Sequence, residues 1–419
     1  MRPSRRGVID PFVVMEVVAA AQALDRATDG DVLHLEVGQP STGAPRSAVA
    51  AAQARLSAGD PLGYTEAAGV PELRAAIAEL YDRRYDVAVD PSSVVVTVGA
   101  SGACVLAILA AFDAGDRVAV TEPGYPCYRQ MLSATGVDVA AVRVGTTDEF
   151  RLAPHHLDAV NIDAANLDTV NKSGDRQLRG VMVASPANPT GTVLDRAALG
   201  SLVDWCELHD AWLISDEIYH GITFDTGPAS AATAATVTAA TAAGSSNAIV
   251  VGSFSKYFSM TGWRLGWMVV PPTLSEAINR LQQNLFLCPP ALSQHAALSA
   301  LHPDTAVELD AHVARYRRNR DVLLAGLRSL GLDTFAPADG AFYVWANTQR
   351  WHPDSRVLAA EWLEQLHVAV TPGIDFDPVD GPSWMRFSVS GSTETIDAAV
   401  QRLARWAAKR APEQESTGP

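Results

Sequence analysis

The sequence predicts an α/β protein: a large domain built on a mostly parallel seven-stranded sheet flanked by helices, joined to a smaller α+β domain. Three observations support this fold class. Seven short apolar runs, rich in β-branched residues, lie between residues 94 and 270. Helix-sized segments separate most of these runs, and the pattern changes beyond residue 290. Such an alternation is typical of a layered α/β domain whose strands run mostly parallel.

The first predicted element is a helix over residues 11–28, whose apolar residues from Val14 to Leu24 recur at helical spacing before a stop signal at Gly30. The short segment LHLEVGQP then leads into a turn containing Pro and Gly. A second helix is predicted from Pro71, because proline suits the first turn of a helix.

The seven apolar runs are predicted strands. They are continuous rather than alternating, which is expected for strands buried on both faces of a sheet. Helix-sized segments such as residues 194–209 connect them. The runs occupy residues 94–98, 118–120, 139–142, 181–185, 211–215, 249–253 and 265–270.

Two stretches interrupt this alternation. Residues 153–178 are polar, and residues 227–246 form a low-complexity run of Ala, Thr and Ser. The second stretch could form an alanine-rich helix, but its many threonines and flanking glycines favour an irregular surface insertion.

Beyond residue 290 the pattern indicates a second, α+β unit. A long helix through Tyr316 precedes two strand-like segments, GAFYVWAN and WMRFSVSGS, and a final helix at 393–408. We expect the N-terminal helix to pack with this unit. The predicted domains are therefore a large domain at 45–292 and a small domain formed by both chain ends, 1–44 and 293–419.

Composition excludes several classes of function. A net charge of −15 argues against nucleic acid or an anionic membrane as a partner, since both require clustered Lys and Arg. No segment approaches the ~18 apolar residues of a membrane span. The four cysteines show no CxxC pairing and no histidine at zinc spacing, so no metal site is predicted. Reduced thiols and the lack of a signal-peptide pattern predict a cytoplasmic protein.

Polar segments follow the predicted strands at the points where the strands end. Ligands of parallel α/β sheets bind outside the carboxyl ends of the strands, so we expect these segments to converge. The first of them offers the N–H groups of a helix start to a phosphate, although a plain tight turn fits equally well. The segments are GASGA (99–103), TEPGYPCY (121–128), PANPTG (186–191), DEIY (216–219) and FSK (254–256).

Lysine is scarce in this chain. Of 32 basic residues only three are lysines, at positions 172, 256 and 409. Arginine keeps its proton, whereas a lysine amine can lose its proton and form a Schiff base. Lys256 lies within SFSKYFSMTGWRLG and is the predicted nucleophilic amine, while the other two occupy polar contexts typical of solvated side chains.

Three further residues complete a recognisable set. Asp216 ends an apolar strand, where it could cap the next helical turn or pair with a cationic ring nitrogen. Tyr219 lies one helical turn later, and Arg264 could hold a phosphate through two hydrogen bonds. A phosphate clamp, a carboxylate, a tyrosine and a Schiff-base lysine together indicate a pyridoxal phosphate site.

At this point the sequence resembles a known family. YTEAAGVPELRAAIA, EPGYPCY, SPANPTG, SDEIY and SFSKYFSMTGWRLG, in this order, are similar to the class I pyridoxal-phosphate aminotransferases of the aspartate aminotransferase superfamily. IDPFVVMEVV, LEVGQP and MRFSVS extend the resemblance to both chain ends. The resemblance implies fold type I, and only the two interruptions and the extreme termini fall outside it.

The resemblance also implies a role for each matching residue. Lys256 would form the Schiff base and carry the proton, and Asp216 would pair with the pyridine nitrogen. Tyr219 and Asn188 would hydrogen-bond the phenolic oxygen, while Tyr125 would stack on the ring. The implied phosphate contacts are Ser101, Gly102, Ser253, Arg264 and, from the neighbouring subunit, Tyr64. The implied contacts of the substrate α-carboxylate are Gly38 through its backbone, Asn188 and Arg386.

The implied activity is transfer of an amino group from an α-amino acid to a 2-oxo acid, by a homodimer with shared active sites. A β-lyase or synthase on the same fold remains the alternative, because these reactions share their first steps. A nicotinamide dehydrogenase is disfavoured, since no GxGxxG follows the first strand. A neutral amino donor is expected, because residues 284–293, which lead to the second domain, contain Leu285, Phe286 and Leu287 but no cation.

Overall fold

The computed structural model describes residues 2–166, 177–224 and 247–415. Its helices and strands agree closely with the predicted ones. The α-helices are α1 Val13–Ala27, α2 Arg46–Ser57, α3 Pro71–Tyr85, α4 Gly99–Ala111, α5 Pro126–Thr135, α6 Pro154–Asn166, α7 Arg196–Leu208, α8 Pro272–Leu285, α9 Ala291–Ala300, α10 Ala306–Ser329, α11 Ser355–Leu366 and α12 Thr393–Glu415.

Each of the seven predicted runs overlaps a strand of one large sheet. The order across this sheet is β2-β8-β7-β6-β5-β3-β4. All neighbouring pairs are parallel except those of β8, which runs antiparallel to both β2 and β7. These strands are β2 Val94–Thr97, β3 Arg117–Glu122, β4 Asp138–Arg143, β5 Leu178–Ala184, β6 Trp212–Asp216, β7 Ala248–Ser253 and β8 Gly266–Val269.

The large sheet is buried on both faces, as its continuous apolar runs predict. In β2, Val94 and Val96 join the hydrophobic cluster on one face, while Val95 joins the cluster on the other. The sheet therefore forms the middle layer of three, and the carboxyl ends of its parallel strands are held rigidly at one edge.

Two smaller sheets are built from the C-terminal part of the chain, and one of them also includes β1 from near the N-terminus. A three-stranded antiparallel sheet has the order β11-β12-β9, and a parallel pair joins β1 near the N-terminus to β10. The pair places Leu33 opposite Val368. The strands are β1 Leu33–His34, β9 Tyr343–Asn347, β10 Val368–Ala369, β11 Thr371–Pro372 and β12 Trp384–Ser388.

The polar interruptions are only partly described. Residues 154–166 form helix α6, which begins with a proline in its first turn, as proline's fixed φ allows. The rest of that polar stretch up to residue 176, and the whole of the Ala/Thr/Ser run at 227–246, lie outside the described residues. In the part of the chain that is described, no helix combines the length and apolar character that crossing a membrane requires.

Candidate active site

The polar segments that follow the strands do converge, around a cavity of about 270 Å³. The elements that deliver them are the ends of β2, β3, β5, β6 and β7, with further residues from α1, β9 and β12. Ten of the twelve predicted site residues line the cavity: Gly38, Ser101, Tyr125, Asn188, Asp216, Tyr219, Ser253, Lys256, Arg264 and Arg386. Gly102 and Tyr64 do not.

Lys256 lies three residues beyond the end of β7, with its amine buried near Arg386, Arg264 and Asp216. Its Nζ donates to the carbonyl oxygen of Gly38 at 2.6 Å. Burial lowers the pKa of Lys256 to about 8, and the nearby guanidinium of Arg386 acts in the same direction. The amine is therefore far easier to deprotonate than an ordinary lysine, as a nucleophile requires.

Asp216, the last residue of β6, is a buried carboxylate with neutral hydrogen-bond donors. Its Oδ2 accepts a hydrogen bond from the hydroxyl of Tyr128, and its Oδ1 accepts one from the backbone N–H of Ile218 at 3.2 Å. Burial raises the pKa of Asp216 to about 6, although both hydrogen bonds favour the charged form. A cationic ring nitrogen would suit this carboxylate. A buried charge is costly without a partner of opposite charge, and the ring nitrogen would supply that charge.

The first turn of α4 and Arg264 together form a region suited to a phosphate. Gly99 begins α4 with a φ of +67°, and a Cβ there would lie 2.7 Å from Arg264 Nη2. Ser101 lies in the same turn and Ser253 ends β7, both facing the cavity. Free N–H groups at a helix start, hydroxyls and a guanidinium are the donors that hold phosphates in proteins.

Gly102 and Tyr64 stand apart from this cavity. Gly102 is buried on α4, and a Cβ there would approach the side chains of Val98 and Phe286 at ordinary contact distances. Tyr64 has 86% of its surface exposed.

Arg386, from β12, is almost fully buried at 2% exposure. Its Nη1 donates to Asn188 Oδ1 at 3.0 Å, and its Nη2 donates to the carbonyl oxygen of Glu36 at 2.7 Å and to Thr371 Oγ1 at 3.3 Å. Its Nε is buried and has no hydrogen-bond partner within the described residues. The guanidinium is thus held in place while its Nε–H remains available to donate, which fits a carboxylate ligand.

The tyrosines close the site from two sides. Tyr219 shares a hydrogen bond with Tyr343, their hydroxyl oxygens lying 2.7 Å apart. Tyr125 packs edge-on against Tyr128, with ring centroids 5.2 Å apart. The contributions of Tyr128 and Tyr343 were not predicted from the sequence. Tyr128 could have been found, because it follows Tyr125 by one helical turn in α5.

The apolar wall of the cavity has a different origin from the one expected. Leu285 and Leu287 are exposed, and neither they nor Phe286 lines the cavity in this chain. The wall comes mainly from the start of the chain and from one residue of α5: Phe12, Val14, Met15, Val18, Val37 and Met131. The reason is long-range packing: α1 packs with β10 and β11 of the small sheets, and Phe12 at its start packs against Tyr125 at the start of α5.

These groups fit pyridoxal phosphate by the chemistry of the donors present. The fit includes an amine with a lowered pKa, a buried carboxylate, a phosphate-binding helix start and a buried guanidinium with an unused N–H. The arrangement can hold the cofactor and orient the α-carboxylate of an amino acid beside it.

Comparisons with known proteins agree with this chemistry. A family model described as "Aminotransferase class I and II" matches residues 30–403. The valine–pyruvate aminotransferase of Mycobacterium tuberculosis is 45% identical over 405 residues, which are 97% of this chain and 98% of that protein.

Solved structures give the same result. The crystal structure of an aminotransferase from Mycobacterium tuberculosis aligns with a TM-score of 0.89 at 45% identity, covering 98% of this chain and 100% of that chain. Aspartate aminotransferase from Thermus thermophilus, solved with maleate, aligns with a TM-score of 0.83 at 31% identity, covering 97% and 100%.

The family model and both solved structures extend over most of the chain, and the fold and cavity chemistry agree with them. The predicted family, fold class, activity and cofactor are thereby confirmed. The chain belongs to the class I and II aminotransferases, fold type I enzymes that use pyridoxal phosphate to move the amino group of an amino acid to a 2-oxo acid.

Proposed function

We propose that this aminotransferase takes an amino donor with a neutral aliphatic side chain, such as valine, and passes the amino group to pyruvate. The observation that carries the proposal is the apolar wall of the cavity, formed largely by α1. Among the described residues that line the cavity, the cations are Lys256, Arg264 and Arg386. Each has another proposed role, so a second carboxylate on the donor would be left without a partner, at a cost of a few kcal/mol.

The similarity to a valine–pyruvate aminotransferase supports this choice of donor and acceptor. The apolar residues present are also of the right kind, since valine, methionine and phenylalanine side chains pack well against a branched aliphatic group.

Arg386 is proposed to bind the donor's α-carboxylate. Asn188 and the Glu36 carbonyl fix its guanidinium before substrate arrives, so little conformational entropy is lost on binding. The backbone at Gly38 is proposed to lie beside this carboxylate, which the hydrogen bond of Arg386 to the nearby Glu36 carbonyl supports.

Lys256 is proposed to hold the cofactor by bonding its amine to the cofactor's aldehyde carbon. It is also proposed to carry the proton of the substrate Cα. Pyridoxal phosphate, when bound, supplies an electron sink for the charge that develops at that carbon. A neutral amine with a pKa of about 8 is a suitable base near neutral pH. Asp216 would hold the proton on the ring nitrogen, and Tyr219 with Asn188 would donate to the ring oxygen.

The remaining contacts concern the ring face and the phosphate. Tyr125 is proposed to stack on the ring. The proposed phosphate ligands are Ser101, Gly102 through its backbone, Ser253 and Arg264. The start of α4 supports this assignment, since Ser101 and Gly102 belong to its first turn.

We also propose a homodimer in which Tyr64 reaches the phosphate of the partner. The exposure of Tyr64 supports this, because a large aromatic side chain open to solvent is available to a second copy. A cytoplasmic setting is proposed because all four cysteines are unpaired. The proposed domains, 45–292 and the combined chain ends, are supported by the pairing of β1 with β10.

A donor panel tests the proposed substrate class. The holoenzyme is assayed with each proteinogenic amino acid and pyruvate, and then with valine and 2-oxoglutarate. We expect neutral aliphatic donors to give the highest kcat/KM, and donor alone to release one 2-oxo acid per site without ammonia. Aspartate exceeding every neutral donor by about tenfold in kcat/KM would contradict the proposal, because the apolar wall offers its second carboxylate no partner.

A further inference from the structure

Helix α1 begins without a capping side chain of its own. Its N-cap position holds Phe12, whose ring cannot accept a hydrogen bond from the first N–H groups of the helix. Such groups require a partner when they are not in water. Here the acceptor is Asp375, because the backbone N–H of Val14 donates to Asp375 Oδ2 at 3.1 Å, across 361 residues of sequence.

Asp375 is itself well fixed. It ends a 3-10 turn at Gly373–Asp375 and is only 7% exposed. Its carbonyl oxygen accepts from Arg129 Nη2 at 2.8 Å, which ties the turn to α5. Burial raises the pKa of the Asp375 carboxyl, and the hydrogen bonds from the start of α1 oppose that rise.

The start of α1 is also where the cavity wall is built. Phe12, Val14, Met15 and Val18 all line the cavity, whereas Asp375 does not. Phe12 packs edge-on against Tyr125, with ring centroids 6.2 Å apart. The Asp375 carboxylate therefore lies behind the wall and is joined to it through the backbone of α1.

We propose that Asp375 is a positioning residue for donor specificity: by capping α1, it sets how closely the apolar wall approaches the donor's side chain. The proposal rests on the proposed function, because it takes the donor's side chain to be aliphatic. It goes further by assigning the discrimination among neutral donors to a residue that touches neither substrate nor cofactor.

The test compares a donor that reaches the wall with one that does not. In Asp375→Ala, kcat/KM for valine should fall about tenfold, mostly through a higher KM. The kcat/KM for alanine should fall less than about threefold, because alanine's methyl group is too short to depend on the wall. Asp375→Asn keeps an acceptor oxygen for the Val14 N–H and should restore most of the preference for valine.

A matched control comes from another capping aspartate. Asp195 caps α7 through the backbone N–H of Ala198 at 2.8 Å and does not line the cavity. Asp195→Ala should lower thermal stability and leave the valine-to-alanine ratio of kcat/KM unchanged. The control therefore distinguishes a general loss of stability from a shift of the apolar wall at the start of α1.

Two failures can be told apart. If the wild-type enzyme prefers aspartate, the proposed function is wrong. If it prefers valine but Asp375→Ala lowers both donors equally, the positioning role is overturned. Should Asp375→Ala not fold, Asp375→Ser is assayed in the same way, since serine's hydroxyl is shorter and holds the N–H less closely, and equal losses would again overturn the role.

Discussion

At the scale of single residues, burial shifts two pKa values in opposite directions within one cavity. It lowers the pKa of Lys256 to about 8 and raises that of Asp216 to about 6. Both effects arise because the charged form loses its hydration. The pKa of the proposed base is therefore brought close to neutral pH, and the buried carboxylate is left to favour a cationic partner such as a protonated ring nitrogen.

Tyr128 gives this pair a testable pH dependence. Its hydroxyl donates to the charged form of Asp216, so Tyr128→Phe removes a group that lowers the pKa of that carboxyl. The pKa should rise further above its usual value, and the acid limb of the kcat/KM profile should move to higher pH. Tyr316→Phe is the matched control, because the Tyr316 hydroxyl is buried without a hydrogen-bond partner in the described residues. A profile unchanged in Tyr128→Phe would contradict the role.

A site residue could be predicted when its neighbouring sequence marked it, and not when its importance came from partners distant in the sequence. Lys256 was identifiable because lysine is scarce, and Asp216 because a carboxylate ends an apolar strand. Asp375 gave no comparable signal, and the spacing of Tyr128 from Tyr125 did not reveal that the Tyr128 hydroxyl contacts Asp216. Their importance comes from partners 88 and 361 residues away in the sequence, and only the folded chain shows those contacts.

At the scale of elements, the segment after β1 supports the site through its backbone. Glu36 and Gly38 offer carbonyl oxygens to Arg386 and Lys256. Gly38 is required there by close approach, since a Cβ would lie 2.4 Å from the Tyr343 hydroxyl oxygen. This segment was predicted only as the lead into a turn, and the family resemblance implied one backbone contact to the substrate, at Gly38.

Gly38→Ala should therefore reduce kcat/KM at least tenfold, because the new methyl group must displace Tyr343 or the segment itself, and a small displacement of a catalytic group is costly. Gly43→Ala is the control, since a Cβ at Gly43 would meet nothing within 4 Å. The double variant Gly38→Ala with Tyr343→Phe should be more active than Gly38→Ala alone, because the clashing oxygen is gone. Equal activity of the two glycine variants would contradict the close-approach argument.

The strands were the most predictable elements, and the reason is their burial on both faces. Continuous β-branched runs mark such strands directly. The reversed direction of β8 could not be read from its residues, because an antiparallel neighbour buries the same side chains. The two-residue strands β10 and β11 are too short for any periodic pattern to show them.

At the scale of the whole molecule, the proposed dimer predicts that each active site needs residues from both subunits. Tyr64→Ala should lack a phosphate ligand in the partner's site, and Lys256→Ala should lack the covalent attachment, so each homodimer should be nearly inactive. Refolding the two variants together should recover part of the activity, because a mixed dimer contains one intact site. Complete failure to complement, or a monomer by light scattering at assay concentration, would contradict the shared site.

Whole-molecule packing also explains why the apolar wall found within one chain differs from the one expected. An apolar lining was correctly anticipated, but it was assigned to residues 284–293 rather than to α1. Both segments are apolar, and composition alone cannot tell which of them long-range packing brings to the cavity.

The link between Glu36 and Arg386 has a consequence for how the protein is made. The two residues that form this hydrogen bond are 350 positions apart. At roughly 5–20 residues per second, the ribosome completes the second partner on the order of tens of seconds after the first. For the last part of that interval the nascent chain already carries Lys256 but still lacks Arg386, the proposed anchor of the substrate carboxylate. Competence for turnover therefore arrives only near the end of synthesis, when the last small-sheet strand, β12, has left the ribosome and folded back onto the earliest part of the chain.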